Sequence, residues 1–285
     1  MRVSARFAAM FLAVAALLMT AAMPAFAAPP IPDHAGQKTL YVALGDSYAY
    51  GLGADPATQS YPALLGAQPR VVLTANVTQP GATTSDVLTS QIPTARKELK
   101  KANLVTLTVG GNDLGVAAIA ALCTADPTSA TPSAECLAAV AQAQAKLGSG
   151  ELYQSILATI NAVAEAAPKA QIVVTGYPLL FDPGFGLPLS PSLNALALQV
   201  NGATLALNST IQAAVLASQA AGNNVVFVSV MELFFGHGLG GALDPWINSA
   251  GPGLFHPNAN GYNLGYFTAI TEILTTSQVL TSRAA

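Results

Sequence analysis

The chain has 285 residues, of which 52% are apolar and only 9% carry a charge. This composition excludes an intrinsically disordered chain, because it supplies enough apolar surface to bury a sizeable core. The net charge of −3, with no basic run longer than two residues, argues against a nucleic-acid partner, since phosphate binding needs clustered positive charge.

The N-terminus has the pattern of an export signal. Arg2 and Arg6 precede an apolar run, and Pro24 with Ala25-Phe26-Ala27 then forms a signal-peptidase site. We expect cleavage after Ala27; the alternative is an uncleaved membrane anchor, because about 17 apolar residues can just span a bilayer. The expected division is a signal peptide (1–27), a flexible lead-in (28–38) and one domain (39–285). The product is then secreted to the extracellular space or cell envelope, without a transmembrane anchor.

Export changes the interpretation of the two cysteines. Cys123 and Cys136 lie in one polar stretch of sequence. In an oxidising compartment, an isolated pair this close in sequence is expected to form a disulfide. No histidine or third cysteine lies nearby, so a zinc site is poorly supported.

From Thr39 onward, short apolar runs alternate with longer helical stretches. The predicted strands are Thr39–Leu44, Val71–Val77, Leu104–Val109, Gln171–Thr175 and Val225–Val230. The predicted helices are Ser60–Leu65, Ser85–Ser90, Leu114–Leu122, Ala134–Ala166 (broken at Gly148-Ser149-Gly150), Ser192–Ala221 and Gly261–Val279. This alternation favours an α/β domain whose parallel sheet is covered on both faces, with ligand sites beyond the carboxyl ends of the strands.

The first predicted strand is followed by Gly45-Asp46-Ser47. A serine between a strand end and a tight turn exposes its hydroxyl and its backbone N–H together. The alternative is an ordinary turn capped by Asp46 or Ser47.

The next two strand ends carry Gly81 and Asn112. Gly81 allows a backbone N–H to approach a ligand, or is simply a turn glycine with Ser85 or Asp86 capping the next helix. Asn112 either donates its side-chain amide into the same crevice or caps the following helix.

Three histidines are available as a base. His34 lies in the lead-in and His237 in a glycine-rich loop. His256 comes directly before the last predicted helix, where Pro257 suits the first turn. This position suits a fixed base best.

These four segments, in this order, resemble the SGNH hydrolases, the GDSL-type esterases and lipases. The matches are Ser47 in GDSYAYG, Gly81 in PGATTSD, Asn112 in GGND and His256 in FHPNANGY. The resemblance runs from about Tyr41 to Tyr266, and Tyr177-Pro178-Leu179-Leu180-Phe181 is similar to the secreted actinobacterial branch. It implies a three-layer α/β/α, flavodoxin-like fold around a mostly parallel five-stranded sheet.

The resemblance also implies a role for each matched residue. Ser47 is the nucleophile and His256 its general base. The backbone N–H groups of Ser47 and Gly81 and the Asn112 amide form the oxyanion hole. No cofactor or metal is required. The neighbouring Asp46 and Asp113 are expected to cap turns and helix starts.

One position departs from the family pattern. The family usually has Asp three residues before the catalytic histidine, and here that position is Gly253. The hypothesis we prefer is that a main-chain carbonyl near Gly253 orients His256, since a carbonyl also demands an N–H on the facing nitrogen. The alternative is that Asp244 folds back to do so.

We therefore predict a secreted, monomeric serine esterase or lipase acting on a small-molecule or lipid ester. An acyltransferase or deacetylase acting on envelope glycans or lipids is the alternative, and a non-catalytic binding protein on the same fold is a third. The residues alone do not separate the first two. Several apolar side chains in strand-end loops belong either to the core or to an acyl pocket: Phe181, Phe185, Leu187, Trp246, Leu254 and Phe255.

Overall fold

The computed structural model describes residues 38–123, 131–182 and 191–282. Within these ranges, five parallel strands form a sheet in the order β2-β1-β3-β4-β5. The strands are β1 (Thr39–Gly45), β2 (Val71–Asn76), β3 (Leu104–Thr108), β4 (Gln171–Thr175) and β5 (Val225–Val228). All five predicted strands are confirmed, each from its predicted first residue, and the sheet expected to be mostly parallel is wholly so.

Burial explains the sequence pattern of the strands. β3 and β4 are buried along their whole length, and so are the last five residues of β1. A strand buried on both faces is apolar at most positions rather than at alternate ones. The edge strand β2, in contrast, is partly or fully exposed at every position.

Helices pack around the sheet in the expected three-layer α/β/α arrangement. They are α1 (Ser47–Tyr50), α2 (Tyr61–Gly66), α3 (Thr84–Asp86), α4 (Ile92–Thr94), α5 (Arg96–Leu99), α6 (Val116–Cys123), α7 (Ala134–Ser149), α8 (Glu151–Ala166), α9 (Pro191–Ala220), α10 (Met231–Phe234) and α11 (Thr268–Ser282). Val87–Gln91 and Gly261–Phe267 are π-helical, and Asn112–Leu114 is a 3₁₀ turn. Within the described residues, no helix has both the length and the apolar composition to cross a membrane.

The predicted break between two long helices is confirmed. Gly150 has φ +79° and separates α7 from α8. The last predicted helix is also present, although its first two turns are the π-helical segment Gly261–Phe267. The short helices α1, α4, α5 and α10 were not predicted, because each is too short to show a 3.6-residue periodicity.

Chain ends and two inner segments lie outside the described residues. These include the predicted signal peptide, His34, and the loop residues Phe185 and Leu187. The proposed cleavage site and the domain division therefore remain predictions.

The predicted disulfide joins Cys123 to Cys136. It connects the last residue of α6 to the first turn of α7, which Ser133 caps. Both cysteines are buried, so the bond fixes one helix against the next.

The sheet order positions the functional site. From β1 the chain continues to β2 on one side of the sheet, and from β3 it continues to β4 and β5 on the other side. The neighbouring carboxyl ends of β1 and β3 therefore form the topological switch point. Open α/β sheets bind ligands at such points, where the loops after two adjacent strands diverge.

Gly45, the last residue of β1, has no room for a side chain. Its φ is +128°, and an added Cβ would lie 2.3 Å from the carbonyl oxygen of Thr108 on β3. The Gln91 side-chain amide forms two hydrogen bonds with the backbone of Gly45: it accepts the Gly45 N–H at 2.8 Å and donates to the Gly45 carbonyl at 2.9 Å. This close approach holds the turn before Ser47 against β3.

We expect Gly45→Ala to lower the free energy of unfolding by about 3 kcal/mol or more, from backbone strain and overpacking together. Gly115→Ala is the matched control: its φ is +78°, but an added Cβ meets nothing within 4 Å. That variant should lose only about 1 kcal/mol, the cost of a left-handed alanine. Urea unfolding measures both. Equal losses would mean that the contact with Thr108 has no energetic weight.

Candidate active site

Ser47 is the first residue of helix α1, directly after β1. Asp46 caps this helix, because its carboxylate accepts the N–H of Tyr48 at 2.9 Å. The N–H of Asp46 donates to Thr108 on β3, also at 2.9 Å. The capping role predicted for Asp46 is confirmed, and the turn holds Ser47 at the carboxyl edge of the sheet.

His256 lies opposite Ser47, although 209 residues separate them in sequence. Its Nε2 is 2.8 Å from Ser47 Oγ. Its Nδ1 is 2.9 Å from the carbonyl oxygen of Leu254. A carbonyl oxygen only accepts hydrogen bonds, so Nδ1 carries the proton and the Nε2 lone pair faces the serine hydroxyl.

The orienting carbonyl is one residue further along the chain than the sequence indicated. The Gly253 carbonyl accepts the backbone N–H of His256 at 2.9 Å, whereas Leu254 supplies the oxygen for the ring. Both carbonyls belong to one tight turn before the ring.

The alternative orienting group, Asp244, lies elsewhere on an exposed loop. Its backbone carbonyl contacts Nδ1 of His237 at 2.7 Å, and His237 stacks on Trp246 with ring centroids 3.7 Å apart. His237 is therefore engaged with Asp244 and Trp246 rather than with Ser47. Within the described ranges, no three His, Cys, Asp or Glu side chains lie close enough together to hold a metal ion.

Two residues that sequence reasoning missed hold the turn before His256. Phe255 has φ +63°, a left-handed conformation that a bulky residue adopts only under constraint. The hydroxyl of Tyr48 donates to its carbonyl at 2.7 Å. Asn248 donates to the His256 carbonyl from its backbone N–H at 2.9 Å and from its side-chain amide at 3.0 Å. The strained turn is therefore tied down on two sides.

Gly81 and Asn112 complete the cavity around Ser47 and His256. Gly81 has φ +83° and open space where a Cβ would be. The Asn112 amide donates to the carbonyl of Ala82 at 2.9 Å, so the loops after β2 and β3 are joined. The structure thus brings all four motif residues together.

Capping in these two loops differs from the alternatives the sequence left open. Thr83, rather than Ser85 or Asp86, caps α3, and it forms a capping box with Asp86. Gly111, rather than Asn112, occupies the N-cap position of the 3₁₀ turn. Neither Ser85 nor Asn112 is used as a cap.

Three N–H groups remain available beside Ser47. Within the described part of the chain, the backbone N–H groups of Ser47 and Gly81 donate to no protein acceptor. The Asn112 amide uses one N–H for Ala82 and keeps the second. A cavity with three such donors next to a hydroxyl is suited to a developing negative charge on oxygen.

Tyr177 links the loops that carry Ser47 and Asn112. Its hydroxyl donates to Asp46 Oδ2 at 2.5 Å and accepts the N–H of Gly111 at 3.1 Å. Burial raises the pKa of Asp46 to about 7, against hydrogen bonds from Tyr177 and from the backbone N–H groups of Tyr48 and Ala49, which lower it. Asp46 is thus a buried structural acid that does not contact His256.

Asp113 caps a helix start, as expected, but that of the distant helix α3 rather than that of the turn beside it. Its carboxylate accepts the backbone N–H of Thr84 at 3.1 Å and the Thr84 hydroxyl at 2.5 Å. The capping pattern failed to predict this partner because Thr84 is 29 residues away in sequence. The contact ties the β3 loop to the start of α3.

Burial also sets the charge state of His256. It lowers the pKa of the imidazole below its ordinary value of 6.5, and the carbonyls of Leu254 and Gly253 oppose this shift. The neutral ring is therefore the form present near neutral pH, which is the form that accepts a proton.

The four motif residues open onto an apolar cavity of about 250 Å³. Of the apolar side chains predicted to lie in the core or in a pocket, Phe181, Leu254 and Phe255 line it. Trp246 instead packs against His237 and Phe234. Helices α6, α7 and α9 supply most of the remaining wall.

Comparison with known proteins agrees with this geometry. Residues 43–264 match the GDSL-like Lipase/Acylhydrolase family. A lipase of Streptomyces rimosus is 34% identical over 291 residues, which cover 95% of this chain and 99% of that protein.

Two crystal structures are similar over most of the chain. An extracellular lipase from Streptomyces rimosus aligns with a TM-score of 0.69 at 30% identity, covering 82% of this chain and 99% of that one. A phospholipase A1 from Streptomyces albidoflavus NA297 aligns with a TM-score of 0.69 at 31% identity, covering 81% and 98%.

We expect NMR titration of the imidazole protons to give His256 a pKa below 6.5, because burial disfavours the charged ring. The signal is assigned by its absence in His256→Gln. In the control variant His237→Gln a different signal disappears while the His256 titration stays in place. A His256 pKa at or above 6.5 would contradict the dominance of burial over the opposing hydrogen bonds.

Proposed function

Since the chain belongs to the GDSL-like lipase/acylhydrolase family and is a serine hydrolase acting on ester bonds, we propose that it is a secreted esterase or lipase that forms an acyl-enzyme on Ser47. The observation that carries this proposal is the 2.8 Å contact between His256 Nε2 and Ser47 Oγ. A nucleophile within hydrogen-bond distance of an oriented base is the arrangement that covalent catalysis of acyl transfer requires.

In the first half of the reaction, Ser47 Oγ attacks the acyl carbon while His256 Nε2 takes the hydroxyl proton. The tetrahedral intermediate collapses when His256 returns that proton to the leaving alcohol oxygen. Water then repeats the sequence on the acyl-enzyme, with His256 again as base, and releases the free acid. Throughout the reaction, Nδ1 of His256 keeps its proton and its hydrogen bond to the Leu254 carbonyl.

The oxyanion of the intermediate would be held by the N–H groups of Ser47 and Gly81 and by the Asn112 amide. The hydrogen bond from the Asn112 side-chain amide to the Ala82 carbonyl fixes this side chain before substrate arrives. The second N–H of the amide therefore needs no reorganisation during the reaction. Tyr177 supports the same geometry by holding Gly111 next to Asn112.

A carbonyl performs part of the work that a carboxylate usually does in such sites. It selects the correct tautomer, as the Leu254 oxygen does here at 2.9 Å. It offers no full charge to stabilise the imidazolium that forms during catalysis. The lowered pKa of His256 agrees with a ring that, among the described residues, faces a carbonyl and no carboxylate.

The cavity favours acyl esters over the glycan deacetylase alternative. Its wall is mostly apolar, and a sugar would leave its hydroxyl groups there without partners. The related crystal structures are of a lipase and a phospholipase A1, which supports an acyl-chain substrate for this chain also. Acyl transfer to an alcohol would use the same residues as hydrolysis. Measuring product with and without an added alcohol acceptor separates the two reactions.

Secretion is supported by independent features. The N-terminal sequence has an export pattern, and the Cys123–Cys136 disulfide suits an oxidising compartment. The similar Streptomyces rimosus structure is of an extracellular lipase.

We expect Ser47→Ala to lower kcat for p-nitrophenyl butanoate on the order of 10⁴-fold or more, because the nucleophile is lost. A serine-directed fluorophosphonate should label the wild type and not the variant. Free butanoic acid should form without any added alcohol. If acid appears only when an alcohol acceptor is supplied, the enzyme is a transferase; if the variant is labelled, Ser47 is not the nucleophile.

We expect Asn112→Ala to lower kcat about 100- to 1,000-fold with a small change in KM, since an oxyanion donor acts mainly in the transition state. Asn112 also joins two loops, so Thr84→Val serves as the control. This change removes the hydrogen bond from the Thr84 hydroxyl to Asp113, which joins the same two loops, and leaves all three proposed oxyanion donors in place. A comparable loss in Thr84→Val would assign the effect of Asn112 to loop order.

A further inference from the structure

The cavity has two ends of different character. Its catalytic end is formed by Ser47, Gly81, Asn112 and His256. Its helical end is formed by Ile119 and Cys123 of α6, Val140 of α7 and Val200 of α9. The second end plays no part in the chemistry proposed above, and its function needs a separate explanation.

The helical end is a small core of its own. Cys123, Cys136 and Val140 form a buried cluster separate from the main core, and Ile119 and Val200 pack against it. The cluster lies where α6, α7 and α9 meet rather than over the sheet. Closely packed apolar side chains here form a firm wall, which Ile119 and Val200 join to the main core.

The disulfide lies at this wall. Cys123 lines the cavity, and its partner Cys136 is fully buried one helical turn before Val140. The bond therefore fixes the α6 side of the helical end against the α7 side. A wall held by a covalent bond yields less to an occupant than one held by packing alone.

The lining restricts the chemistry of the occupant. Among the described lining residues, Asp46 and His256 are the only ones of acidic or basic type, and both belong to the catalytic end. The polar Gln199 and Thr204 are on α9, where Gln199 is exposed. An unbranched hydrocarbon chain fills such a space without leaving a polar group unpaired.

The lining also indicates which half of an ester enters. One stretch of chain runs from the oxyanion donor Asn112 through Leu114 and Val116 to Ile119 and Cys123, and each of these residues lines the cavity. When an acyl group is attached to Ser47 and its carbonyl oxygen points toward Asn112, its hydrocarbon chain begins at the start of this stretch of wall. The leaving alcohol must remain beside His256 to receive its proton.

We propose that the helical end binds the acyl chain of the substrate and that Ile119 and Val140, with the disulfide behind them, set the longest chain accepted. This inference rests on the proposed function, since it assumes an acyl-enzyme on Ser47. The substrate is therefore an ester of a medium-length or long linear fatty acid. For each added methylene, kcat/KM rises about fourfold until the chain meets the wall.

The test is a series of p-nitrophenyl esters from acetate to hexadecanoate, which vary the acyl chain at a constant leaving group. Val140→Phe should lower the ratio of kcat/KM for dodecanoate to that for butanoate about tenfold or more, with butanoate almost unchanged. Leu137→Phe is the matched control, one turn earlier on α7, 46% exposed and outside the lining. Its chain-length profile should equal that of the wild type.

Ile119→Ala provides the opposite change, so the test does not depend on the folding of one variant. It enlarges the helical end and should move the preferred ester to a longer chain. Removing both cysteines as Cys123→Ala with Cys136→Ala should weaken the upper limit on chain length, with butanoate hydrolysis retained. A sharp limit that survives this change would overturn the role assigned to the disulfide.

Two results would overturn the acyl-chain assignment. One is an equal effect of Val140→Phe on all chain lengths. The other is a Val140→Phe effect that follows the alcohol in a series of butanoate esters instead of the acid. Failure of the proposed function is a different outcome: the wild type would then hydrolyse no ester of any length, and fluorophosphonate would not label Ser47.

Discussion

The contact between Ser47 Oγ and His256 Nε2 depends on two constrained turns. One is the turn after β1, where Gly45 has no space for a side chain and Asp46 caps α1. The other is the turn at Phe255, held in a left-handed conformation by the Tyr48 hydroxyl. Because Tyr48 directly follows the nucleophile, the same short helix presents Ser47 and anchors the loop that carries its base. A 2.8 Å contact between residues so distant in sequence requires this coupling.

Buried hydroxyl groups, rather than ion pairs, connect the loops of the site. Tyr177 joins Asp46 to Gly111, and Tyr48 joins α1 to Phe255. Below them, Thr108 bonds to the hydroxyls of both Tyr61 and Thr175 across the sheet. A chain in which 9% of residues are charged has few ion pairs with which to fix these loops. Neutral hydrogen bonds carry a smaller desolvation cost than charges in the same buried space.

The same fold separates chemistry from substrate selection. The residues proposed to act on the ester lie at the carboxyl edge of the sheet, on the segments that follow β1, β2, β3 and β5. The apolar part of the cavity lies among α6, α7 and α9, of which α9 also packs against strand β5. The disulfide supplies locally the rigidity that the sheet gives to the catalytic end.

The amino-acid sequence determined the features that depend on local pattern. Continuous β-branched and apolar runs predicted all five strands, and Gly148-Ser149-Gly150 predicted the break at which α7 ends and α8 begins. Close spacing of Cys123 and Cys136 predicted their disulfide. The motifs predicted which four residues meet, because each follows a strand or precedes a helix. Only the tertiary structure decided that Leu254 rather than Gly253 faces the imidazole, that Tyr48, Asn248 and Tyr177 hold the loops, and that Asp113 binds Thr84. These choices depend on distances between segments remote in sequence, and the local pattern that specifies a strand or a turn carries no information about what packs against it.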